Sequence, residues 1–197
     1  MREALVDAAK SLLWEGGYER MSPRKVLDRS GAGQGSLYHH FPTKRALAAA
    51  ALTDVERELA ATAESVFASD VPPLDRIRAW LALERNGLAG CRLGRLANEV
   101  EVLDSDDLRV PLASYLNRVL SLIASALAEA IERRELPTTL STPDVAAAIV
   151  ATVQGGYTLS RALADSGAIS RSTRGALALL NASAAGCPEQ FAADPSS

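Results

Sequence analysis

Apolar positions three and four residues apart set out a series of helices along this chain. Leu5, Ala9, Leu12 and Leu13 form one stripe, predicting a first helix over residues 2–15 that Gly16-Gly17 stops. Ser22 is an N-cap type and Pro23 suits a first helical position, so a second helix runs from there to about Ser30, with Val26 and Leu27 inward. A Gly31-Ala32-Gly33 turn leads into a short third helix, 34–40, anchored by Leu37 and Phe41. Pro42 breaks the chain, and Thr43 caps a fourth helix reaching about Ala68.

Beyond Val71-Pro72-Pro73, the spacing of Ile77, Trp80, Leu81 and Leu88 predicts a helix over 74–88. Gly87, Gly90 and Gly94 punctuate a kinked region, followed by a helix over 95–103. A long helix spans about 106–135, closed by Pro137. Two more cover 144–165 and 170–184, and residues from Gly186 on form a loose tail. The expectation is an all-α protein of about nine helices with no convincing strand. Its predicted parts are a helix-turn-helix head (1–48), a larger helical bundle (49–185) and a tail (186–197).

Composition agrees: 48% of residues are hydrophobic but only 5% aromatic, and Ala and Leu, both good helix formers, dominate. No uninterrupted apolar run looks long enough to cross a bilayer, and the N-terminus does not read as a signal peptide. Cys91 and Cys187 are too few for a disulfide framework, so a soluble cytoplasmic protein is expected. The net charge of −3 hides an asymmetry. Residues 1–48 carry eight basic and five acidic side chains, a net of +3; the remaining 13 basic and 19 acidic side chains give −6. A basic end on an acidic body suits phosphate contact at one end only.

The second and third predicted helices and their tight turn have the build of a DNA-reading unit. Gln34 and Ser36 open the third helix with polar groups, and Gly35 lets its backbone approach a groove. Tyr38, His39 and His40 project from the same helix toward phosphates, sugars or a thymine methyl. Lys44 sits where free helix N–H groups favour a phosphate, and Ser22, Arg24 and Lys25 open the second helix. Other readings stand beside these. Tyr38 and Phe41 also suit a core. Adjacent His39 and His40 diverge on a helix with no third metal ligand nearby, so no metal and no cofactor is expected. The glycines at 31, 33 and 35 follow a helix rather than a strand, which excludes a nucleotide loop or nucleophile elbow.

The run from Gly31 to Leu47, GAGQGSLYHHFPTKRAL, resembles the DNA-binding signature of the TetR family of transcriptional regulators. By that resemblance the DNA contacts fall on Ser22, Arg24, Gln34, Gly35, Ser36, Tyr38, His39, His40 and Lys44. Gln34 stands where members commonly carry Lys, and the chain starts too near its first helix for the basic arm of many members. The resemblance implies a homodimer, a palindromic double-stranded operator and a small-molecule effector that changes the spacing of two heads, most simply in a repressor.

The last two long helices carry the candidate dimer surface: Val150, Val153, Gly156, Leu159, Leu163 and Leu177, with an ordinary internal core as the alternative. The candidate effector pocket is Trp80, Leu83, Cys91, Leu96, Tyr115, Val119, Gln154 and Tyr157, mostly apolar with a few polar handles. Core packing is the alternative for each. Residues 90–99, GCRLGRLANE, resemble an element of a subgroup near the LmrA and YxaF regulators. Cys91 reads as a redox sensor or a buried thiol. Glu99, Glu101, Asp104, Asp106 and Asp107 read as a solvated helix end, capped by Asp104 or Ser105, or as a metal site. Nothing in the chain supports catalysis. A helical carrier or enzyme keeping such a head, or a DNA-organising protein without a ligand, are the alternative functions.

Overall fold

The computed structural model describes residues 1–185, and the predicted tail, with Cys187, lies outside them. The described residues contain helices and no strands: α1 (Arg2–Arg20), α2 (Pro23–Ser30), α3 (Gln34–His40), α4 (Lys44–Phe67), α5 (Pro73–Ala82), α6 (Val100–Leu103), α7 (Asp106–Glu132), α8 (Thr142–Ala162) and α9 (Ala168–Ala185). A 3-10 turn, Gly94–Asn98, precedes α6.

Local chemistry accounts for the head. α1 runs straight to the predicted stop, where Gly17 turns to φ 82°, and one further turn continues to Arg20. The Ser22 hydroxyl accepts the Lys25 N–H at 3.3 Å and caps α2; Gly31, at φ 67°, ends it in the left-handed form that lacks strain only without a Cβ. Thr43 caps α4 by accepting the Ala46 N–H at 3.0 Å. Leu37 and Phe41 anchor α3 beneath Met21, Val26 and Leu47.

Head and body are not separate packing units. α4 passes the predicted 48/49 boundary without a break. The head's core also takes in Leu93, Leu96, Val102, Leu108 and Leu112 from the body. A second core, around Ile77, Trp80, Ile123, Leu127 and Ile149, lies among α4, α5, α7, α8 and α9.

Three expectations are corrected. The helix predicted over 74–88 ends at Ala82, where the Arg85 guanidinium turns back to take the carbonyls of Trp80, Leu81 and Leu83; Leu88, expected in the core, is exposed. The helix predicted over 95–103 is broken at Glu99, whose extended backbone (φ −102°, ψ 120°) separates the 3-10 turn from α6. α7 is long and apolar enough, by length and composition, to cross a membrane, against the expectation; it packs here against α4, α5 and α8.

Candidate functional site

The exposed end of the head gathers most of the proposed DNA contacts. Gln34, Gly35, His39 and His40 are exposed on α3, and Tyr38 is 49% exposed despite the apolar ring beneath its hydroxyl. A core role therefore falls to Phe41, 5% exposed, and not to Tyr38. A Cβ built on Gly35 would meet nothing within 4 Å, so its value is a thin, open approach to the helix. Ser36 is half-buried. The rings of His39 and His40 meet edge to face, 5.1 Å apart, and no group of three or more metal-type side chains occurs among the described residues.

The flank is built from α2 and the start of α4. Arg24 is exposed, whereas the Ser22 oxygen is already used as a cap. Lys44 is held, not loose. Its ammonium lies 4.2 Å from the centre of the Tyr18 ring and donates to the Glu19 carbonyl at 3.4 Å. The sequence does not single out Tyr18; an aromatic just past a helix stop gives no signal of a lysine 26 residues further on. Lys25 is similarly tied, donating to the Arg20 carbonyl at 3.0 Å.

A cavity of ≈ 220 Å³ opens in the body. Of the residues proposed for it, Trp80, Cys91, Tyr115, Val119, Gln154 and Tyr157 line it. Leu83 and Leu96 do not: Leu83 sits at the end of α5 against the second core, and Leu96 is fully buried in the head-side core. Val150 and Val153, proposed for the dimer, line the cavity instead, and Trp14 of α1 reaches it as well. Trp14 and Arg85 are among the lining residues that sequence reading missed; a lone charge beside an apolar stripe gives no signal of a pocket. Burial lowers the Arg85 guanidinium from its ordinary value and raises the Tyr115 phenol; it also raises Tyr157, to about 12.

The strap from Gly90 to Glu99 joins this cavity to the head. The Trp14 indole N–H donates to the Gly90 carbonyl at 3.0 Å, and Arg95 donates to the Trp14 carbonyl. Cys91 is buried, its sulfur accepting the Gly94 N–H at 3.2 Å. The Glu99 carboxylate accepts the Glu19 N–H at 3.2 Å, and occupies the space where a Cβ on Gly17 would stand. Glu99 therefore leaves the solvated acidic run expected of it, while Asp106 and Asp107 do sit in the first turn of α7. Ser105 holds the N-cap position there without a side-chain cap bond.

The proposed dimer residues divide. Gly156 is inside the protomer, its missing side chain admitting Ile169 and Ser172 of α9 within 3.2 Å of a built Cβ. With Val150 and Val153 it is thus part of the internal core, because one face of α8 turns inward onto α9 and the cavity. Leu177 is half-buried against the same core. Leu159 and Leu163 are 48% and 63% exposed on the other face.

An exposed short helix on a capped helix-turn-helix, fused through one long helix to a hollow helical body, is the build of a DNA-binding regulator. Residues 5–51 match the family model for bacterial regulatory proteins of the tetR family, and residues 73–176 match that for the tetracyclin repressor-like C-terminal domain. The chain belongs to the TetR family of transcriptional regulators, which are not enzymes. It is similar to the HTH-type transcriptional repressor DhaR of Mycobacterium sp. (strain GP1), 25% identical over 161 residues covering 79% of each chain. A TetR-family regulator from Agrobacterium tumefaciens superposes with a TM-score of 0.82 at 23% identity, over 90% of this chain and 96% of that one. The reduced form of E. coli NemR does so at 0.75 and 25% identity, over 92% and 96%.

Proposed function

We propose that this protein is a cytoplasmic, homodimeric repressor that binds a palindromic operator and releases it when a small apolar or amphipathic effector enters the body cavity. The observation that carries this reading is the strap 90–99. It lines the cavity with Gly90, Cys91 and Arg92, and through Gly90, Arg95 and Glu99 it is hydrogen-bonded to α1 of the head. A molecule that moves the strap moves the groups that position the head. It needs only to favour a head spacing that does not match DNA.

On this reading Gln34, Gly35, Ser36, Tyr38, His39 and His40 face the major groove, with Ser22, Arg24 and Lys44 on the phosphates. Dimerisation uses the outer face of α8 and α9, where Ala148, Ala151, Gly155, Leu159 and Leu163 are exposed beside Ala178 and Leu179. Such small residues let helices of two protomers approach closely, and two heads then reach half-sites about one DNA turn apart. The name of DhaR, a repressor, supports the sign of regulation.

Footprinting on DNA flanking the protein's own gene is the direct test. A protected palindrome, lost on adding an effector, is expected. Absence of any protected palindrome even at low salt would sink the reading. A DNA-organising protein would instead cover DNA broadly, with no large specificity ratio.

A further inference from the structure

The cavity has a chemical bias that its apolar walls conceal. Arg85 enters it bearing a charge that a guanidinium does not surrender. Its nitrogens donate to three carbonyls at the end of α5: Trp80 at 2.7 Å, Leu81 and Leu83 at 2.9 Å each. The guanidinium also lies over the Trp80 ring, 5.0 Å from its centre. Carbonyl dipoles and a ring face offset this half-buried cation only in part, and no carboxylate lies within ion-pair reach of Arg85 among the described residues. Glu84, the one acidic side chain on the lining, is exposed.

Polar groups able to donate lie beside Arg85. Tyr157 lies against the guanidinium, and Tyr115 faces the same space. Both phenols are protonated at physiological pH in any case, and burial pushes them further up. Gln154 adds an amide. A second hollow of ≈ 320 Å³ adjoins through Gly90, Cys91, Leu116, Gln154 and Tyr157, and its further charged residues are Arg95 and Arg161. The pocket region is therefore cationic inside a body that is acidic as a whole, a local inversion that draws anions inward.

The walls decide the rest of the ligand. Trp14, Trp80, Leu59, Leu116, Val119 and Val153 enclose apolar space. A dry cavity of roughly 150 Å³ accepts a benzene ring, so ≈ 220 Å³ holds a ring with a short acidic substituent.

We propose that the effector is a small aromatic carboxylate, its ring against Trp14 and Trp80 and its carboxylate on Arg85, with the hydroxyls of Tyr115 and Tyr157 as further donors. This rests on the effector reading of the cavity and names the chemical class that cavity selects.

The test uses the full-length protein and calorimetric titration with benzoate, trans-cinnamate and 2-naphthoate, each paired with its primary amide. The amide keeps shape and loses charge. Both tryptophans of the chain line the cavity, so quenching of intrinsic fluorescence reports binding there. At least one acid binds about tenfold or more tightly than its amide, as a charge-assisted contact requires. Arg85→Gln removes that preference, and Arg85→Lys keeps part of it. Because Arg85 also closes α5, circular dichroism checks each variant; if Arg85→Gln does not fold, the acid–amide ratio of Arg85→Lys must still fall below that of the wild type. An amide equal to its acid, no acid bound at millimolar concentration, or an undiminished preference in both variants would each overturn the proposal. Operator release is measured separately. An acid that binds but leaves operator DNA bound sinks the effector reading and spares the anion site; an amide that binds better and releases DNA does the reverse.

Discussion

At the scale of single residues, the head separates side chains that hold it together from those it displays. Tyr38 is displayed: half-exposed, with Leu37 and Phe41 carrying the anchoring beside it. Tyr38→Ala should therefore leave thermal stability nearly unchanged, within about 0.5 kcal/mol, while weakening operator binding roughly tenfold. Lys44→Ala should also spare the fold, and should lower the salt slope of binding by about one phosphate contact. Gel shifts at several salt concentrations, with melting curves of the free proteins, check both; a parallel loss of fold would remove their status as contacts. Gln34→Lys argues the converse. Gln34 is exposed where the charge would meet DNA, so the substitution should tighten binding to operator and unrelated DNA alike and steepen the salt slope by about one. Tightening confined to the operator would mean that position 34 reads a base. Such residues were legible in sequence because their spacing from a glycine turn and a helix cap is local. Arg85 was not, since its role depends on carbonyls that become free only when α5 ends.

At the scale of elements, the helices that sequence located well are those closed by their own residues. Ser22, Gly31 and Thr43 act within a few positions of themselves, and α2, α3 and the start of α4 fall where expected. The predicted 95–103 helix failed for a non-local reason. Glu99 leaves helical geometry to bring its carboxylate to the Glu19 N–H, 80 residues away. Gly17 makes room for it, with a φ of 82° that a side chain rarely adopts, and a built Cβ would overlap the carboxylate oxygen of Glu99. Gly17→Ala should thus cost about 2 kcal/mol, from backbone strain and a displaced ion, lowering the melting temperature by roughly 4–8 °C. Scanning calorimetry reads the loss. The added substitution Glu99→Ala frees the space but not the backbone, so it should recover part of the loss; no recovery would mean that Glu99 does not occupy that site. α8 poses the opposite problem. Its small and bulky apolar residues were legible, but not which turned inward, because both faces are apolar. Leu159 lies on the outer face, and Leu159→Glu should yield a folded monomer by light scattering. A dimer of unchanged strength would move the interface elsewhere.

At the scale of the whole molecule, one ion cluster ties the head to the body. Lys10 of α1 lies between two carboxylates of α4, 2.7 Å from Asp54 and 2.5 Å from Glu58. Glu58 also takes Arg92, from the cavity lining, at 2.7 Å. The cluster thus spans head, connecting helix and strap, and head–body coupling has an ionic path beside the strap's own hydrogen bonds. Burial alone would lower the Lys10 ammonium, but Asp54, Glu58 and Asp7 outweigh it and raise it. The Lys10 hydrogen bond holds Asp54 below its ordinary 3.8, against burial. At Glu58, burial acts upward, yet Lys10 and Arg92 together hold it below 4.5. A depressed carboxylate stabilises the fold fully above its unfolded value and loses that contribution as pH falls through its folded one. The raised lysine contributes everywhere below its unfolded value, so its own titration matters only in strong alkali. Between about pH 5 and 8 the cluster is therefore intact, and its acid limit lies below 3.8 at Asp54 and below 4.5 at Glu58. Lys10→Met keeps the apolar stem and removes the charge, leaving Asp54 without its main partner; it should cost about 1–2 kcal/mol at pH 7. Urea unfolding of wild type and variant at pH 7 and again near pH 3 measures the difference. The gap should narrow in acid, where protonated carboxylates no longer need the lysine. A gap of equal size at both pH values would show that Lys10 does not act through these carboxylates, and would remove the ionic path between cavity and head.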